Sequence, residues 1–114
     1  MSHSARRLLL ELEQRRREIN RNTINPEIRE LTLQELEPIV SAVAQMRAAY
    51  VQTLFDIVEQ GDNPPSREDI ERLRERRTAF DEFVCAVNAL ETMIERGYVD
   101  AVASEPVTGR AAVA

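Results

Sequence analysis

The chain has 114 residues, 31% charged and 43% hydrophobic, with a formal charge of −5. That balance indicates one soluble globular domain and excludes an intrinsically disordered chain, and the 4% aromatic content without tryptophan makes the core aliphatic. No apolar run approaches the roughly 20 residues of a membrane span, and a single cysteine excludes an intramolecular disulfide framework.

The start, MSHSARRLLLELEQ, carries three leucines followed at once by charge, so it does not read as a secretory leader. With the lone cysteine, this points to a reducing cytoplasm. Residues 4–22 form the first helix candidate. Ser4 can cap it, and Leu8, Leu9, Leu12 and Ile19 recur at helical spacing, with Arg16 in the intervening slot. Six arginines against three glutamates give this helix +3, while nine arginines against 17 acids give the remainder −8. A basic helix on an acidic body is expected to pack across it, in its own chain or in a second one. Every basic residue is an arginine, which excludes lysine chemistry. Arg15, Arg16 and Arg17 are the natural contacts for nucleic-acid phosphates, although that segment lacks aromatic residues to stack on bases.

Asn22 to Leu31 reads as a connector. Asn25-Pro26-Glu27 has the form of an N-cap, an N1 proline and an acidic first turn, which predicts a short helix over 26–31. Thr32-Leu-Gln-Glu35 is a capping box opening a long helix over 32–60, and Pro38 is expected either to kink it or to postpone its regular part to Pro38 onward. The stretch Gly61-Asp-Asn-Pro-Pro-Ser66 ends it. Gly61 suits the left-handed residue after a helix, and two prolines forbid continuation. Ser66 with Asp69 three residues on resembles a capping box and opens a second long helix over 66–96. Gly97 is its C′ residue, with Tyr98 and Val99 folding back as the apolar contact of that cap. Residues 104–114 read as a mobile tail. Helices of this length, with no strand pattern between them, define an all-α protein built on a long antiparallel hairpin.

Projected at 100° per residue, each long helix has an apolar arc of about 180°, wider than one hairpin seam requires. Folding about the turn sets Ile57 near Ile70, Leu54 near Leu73 and Val43 near Val84. The surplus on the first helix is Val40, Ala44, Val51, Phe55 and Val58. On the second it is Ala79, Phe83, Ala86, Leu90 and Met93. These residues are expected to form one interaction surface. A second copy would cover it as an antiparallel four-helix bundle, or a different protein would occupy it.

Residues with reactive side chains do not converge. His3 is the one histidine and lies at the very start. Cys85 projects away from the apolar arc, half covered by the first helix, with no histidine to activate it. Arg47 and Arg76 project into apolar arcs and need carboxylate partners or a route to water, and Asp81 is nearest in level to Arg47. The same two arginines are candidates for a small anionic ligand. No cofactor or metal is implied. In outline, such a hairpin resembles small secretion chaperones, phage accessory proteins and bacterial adaptors, a likeness of shape alone. The reading is therefore a non-enzymatic, cytoplasmic interaction or assembly module, most simply a homodimer with coiled-coil-like packing. A nucleic-acid-associated regulator is the alternative.

Overall fold

The computed structural model describes residues 1–28, 30–61 and 63–103. In chain order the elements are α1 (His3–Ile24), β1 (Leu31–Thr32), α2 (Leu33–Val58), α3 (Arg67–Glu95) and β2 (Ala101–Val102). The class is all-α, and α2 and α3 pack against each other. The chain divides into two compact units. One is the hairpin Leu36–Glu91; the other joins Met1–Glu35 to the chain from Thr92 onward.

Within the hairpin, α2 continues through Pro38, which withholds one N–H from the helical ladder. Its end is set by bonds from Glu59 N–H to the Phe55 carbonyl (3.0 Å) and from Gln60 N–H to the Ile57 carbonyl (3.3 Å). Gly61 then takes φ +96°, where a side chain would be strained. At the start of α3 the capping box closes in both directions. Asp69 N–H donates to Ser66 Oγ (3.0 Å) and Ser66 N–H donates to Asp69 Oδ2 (3.1 Å). The shorter aspartate therefore reaches as far as the glutamate usual at this position. The two helices meet through Ile57, which is buried, and through Tyr50 and Phe80, whose ring centroids lie 6.3 Å apart. Thr53 is also buried, with its hydroxyl donating to the Ala49 carbonyl (2.7 Å).

The terminal unit departs from expectation at several points. α1 is capped by Ser2, not Ser4: Ser2 is extended (φ −70°, ψ 160°) and its Oγ accepts from Ala5 N–H at 3.0 Å. The short helix expected over 26–31 is not formed. Asn25 instead stays helical (φ −56°, ψ −41°) and completes α1 with its N–H on the Arg21 carbonyl. Its side chain is free to accept Asp100 N–H at 3.2 Å. Pro26 then stops the helix, and Glu27 and Ile28 turn back on the Ile24 carbonyl (2.9 and 3.2 Å).

Leu31 and Thr32 next pair in parallel with Ala101 and Val102, and Leu31 N–H donates to the Asp100 carbonyl at 2.9 Å. Arg21 secures the same segment, donating to the Gly97 carbonyl (3.1 Å) and pairing with the Asp100 carboxylate. α3 ends in a Schellman motif: Gly97 (φ +71°) donates to the Ile94 carbonyl and Tyr98 to the Met93 carbonyl. Among the described residues, Leu31, Tyr98 and Val99 are the buried apolar residues of this unit. The expected tail, 104–114, lies outside the described residues.

Candidate functional site

The most prominent feature of the hairpin is apolar surface left in water. On α2, Val40 is 65% exposed, Phe55 55% and Val58 66%; Val51 and Leu54 are exposed as well. Ala44 and Arg47 complete this ridge. Positions 40, 44, 47, 51, 54 and 58 follow one another at intervals of four and three, the spacing of a coiled-coil seam. On α3 the corresponding ridge runs through Arg76, Ala79, Phe83, Ala86 and Leu90. All are exposed except half-buried Leu90. Met93, the last residue assigned to this surface, is half-buried in the terminal unit.

The expected single surface is two surfaces. Val51 and Leu54 line a groove with Tyr50 and Leu73, whereas Phe83, Ala86 and Leu90 line another with Ile39 and Val87. The cause is rotational. The α2 ridge lies about 120° from the side of α2 that faces α3, and the α3 ridge about 90° from its facing side in the opposite rotational sense, at 100° per residue. Antiparallel helices carry successive residues round in opposite senses when viewed from one end. Ridges on the same face would therefore be displaced with the same sign in both helices. These are displaced with opposite signs and look out on opposite faces of the hairpin. Leu54 and Leu73 line the same groove, on the level that folding about the turn predicts.

The arginines also differ from expectation. Arg47 is not buried and does not meet Asp81. Its guanidinium Cζ stands 5.2 Å from the centroid of the Phe80 ring, a cation–π contact at an exposed site. Asp81 lies beside Arg77 (3.9 Å) on its own helix. Arg76 is exposed on α3.

Arg15, Arg16 and Arg17 fan round α1 and do not form one patch. Each lies beside a glutamate of its own helix: Arg15 with Glu18 (3.8 Å), and Arg16 and Arg17 with Glu13 (2.8 and 3.5 Å). Leu8, Leu9, Leu10, Leu12 and Ile19 are exposed on the same helix, and no residue of α1 is buried. Cys85 is exposed and not half covered.

Among the described residues, the one acid with a perturbed titration is Asp69. The Ser66 N–H bond, more than any other cause, holds its carboxyl below the ordinary value of 3.8. Burial opposes this, while the Ser66 hydroxyl, Arg72 and Gln60 assist it. That perturbation belongs to a helix cap and involves no reactive group. Among the described residues no group of histidines, cysteines and acids is placed to hold a metal ion, and no helix is long and apolar enough to cross a membrane.

No family model, curated protein or solved structure matches this chain.

The hairpin surface therefore rests on its own geometry. Sequence reasoning omitted Leu54 and Ile70 from it, having assigned both to the hairpin seam, yet Leu54 is 48% exposed and Ile70 44%. For Leu54 the signal was present: it continues the four-three spacing from Val51. Ile70 carried no such signal, because it lies one step round α3 from the buried Asp69.

Proposed function

We propose that the chain is a non-enzymatic helical interaction module, an adaptor, chaperone or accessory subunit of the cytoplasm. Its hairpin assembles with another protein surface, in the first instance a second copy of itself. The supporting observation is the row of large apolar side chains exposed along α2 at coiled-coil spacing. Leaving each such side chain in water forfeits on the order of 1.5–3 kcal/mol. Contiguous apolar patches beyond a few hundred Å² are rare on monomers and mark interaction sites.

The alternative of nucleic-acid contact through Arg15, Arg16 and Arg17 is weaker, since each of these guanidinium groups lies beside a carboxylate of its own helix. An anionic ligand held between Arg47 and Arg76 has still less support, because Arg47 is engaged with Phe80.

Light scattering on the full chain at micromolar concentration tests the proposal. The expected mass is twice the 13.0 kDa of one chain. A monomer mass without aggregation overturns self-assembly. A salt-dependent mobility shift of RNA or DNA, lost when the three arginines become alanine, would favour the alternative.

A further inference from the structure

Two exposed ridges compete to be the self-association surface, and their composition separates them. Of the exposed residues on the α3 ridge, only Phe83 is a large apolar side chain; Ala79 and Ala86 offer little area. The α2 ridge exposes Val40, Val51, Leu54 and Val58, with Phe55 of α2 and Ile70 of α3 exposed beside it. Together with Ala44 and Arg47 these side chains form one continuous exposed face, and a standard-size interface takes ~800 Å² from each partner.

We propose that the α2 ridge is the docking site for a second copy of this chain, paired antiparallel about a twofold axis level with Ala49. This rests on the assembly reading above and assigns it a face, a direction and a register.

A twofold contact requires that residue i meet j and that j meet i. Read forwards the ridge is Val40, Ala44, Arg47, Val51, Leu54, Val58. Reversed against itself about Ala49, it brings Val40 against the partner's Val58, Ala44 against the partner's Leu54, and Arg47 against the partner's Val51. The ends close valine on valine. The alanine makes room for the leucine, so small faces large as close packing demands. The arginine meets an apolar side chain along its aliphatic stem while its head stays over the Phe80 ring, exposed to water.

Neighbouring registers are poorer. Moving the axis to the level of Arg47 sets guanidinium against guanidinium. Moving it a half-heptad toward the turn carries Val40 past the end of the partner's α2. Six ridge positions match in one register only.

Cross-linking the full chain tests this in a Cys85→Ala background, so that no native thiol competes. Val40→Cys combined with Val58→Cys is expected to oxidise to a covalent dimer in near-complete yield. Either cysteine alone is expected to give none, because equivalent residues 40 lie about 27 Å apart in this register. A disulfide needs Cα atoms within about 7 Å. Both positions are solvent-exposed, and a native helical dichroism signal and mass under reducing conditions check the fold of each variant. Val51→Glu is expected to lower the light-scattering mass to one chain, and Phe83→Glu to leave it doubled.

A doubled mass with no cross-link in the double variant overturns the register, as does cross-linking by Val40→Cys alone. A doubled mass that survives Val51→Glu and is lost in Phe83→Glu assigns the interface to α3 and overturns the face. A monomer mass for the unmodified chain overturns the assembly reading itself and this inference with it.

Discussion

Asp69 and Ser66 each take a backbone N–H from the other, and one proton decides whether that arrangement holds. The carboxylate is the acceptor, and its pKa is held below 3.8 in the folded chain. A depressed folded-state pKa contributes stability that is fully present above the unfolded value and lost as pH falls through the folded one. Asp69→Asn is therefore expected to remove stability at neutral pH and to flatten the pH dependence of unfolding below about pH 4. Denaturant titrations at several pH values measure this; equal slopes for the two proteins would contradict it. Ser66→Ala removes the N-cap acceptor and is expected to cost about 1 kcal/mol.

Gly97 gives a second residue-scale prediction. A Cβ built there meets nothing within 4 Å, so Gly97→Ala introduces no clash and isolates the cost of φ +71°. That cost is expected to be about 1 kcal/mol, read as a lower melting temperature.

At the scale of elements, α2 and α3 were legible because their ends are chemically marked. Thr32, Gly61, Ser66 and Gly97 each carry a local signal whose partner lies within a few residues. The clasp that closes the terminal unit was not legible, because its chemistry spans the chain. Arg21 reaches Gly97 and Asp100, Asn25 reaches Asp100, and Leu31 pairs with Ala101. Read locally, Asn25-Pro26-Glu27 starts a helix. With Asp100 N–H arriving at Asn25 Oδ1, it ends one.

The two ridges were half legible for a related reason. Periodicity reports how far round a helix a residue lies. Which face it occupies in a hairpin also depends on chain direction, and the single expected surface resolves into two once that is included. The terminal clasp can be checked directly. Arg21→Ala removes the bonds to Gly97 and Asp100, and is expected to speed amide exchange at Leu31 relative to Ile57. Unchanged exchange at Leu31 would show that the strand pairing holds without the arginine.

For the whole molecule, the deciding question is what covers the exposed residues of α2. Val40, Phe55 and Val58 are each more than half exposed, on a helix whose other side already packs on α3. A helix that has buried one face and leaves a second apolar face in water is what an assembly component presents before it meets its partner. The measurement that tests this most directly is the solution mass of the unmodified chain at micromolar concentration. A mass of twice 13.0 kDa, reduced to a single chain by Val51→Glu, is the predicted result. A single-chain mass with no tendency to aggregate would contradict it.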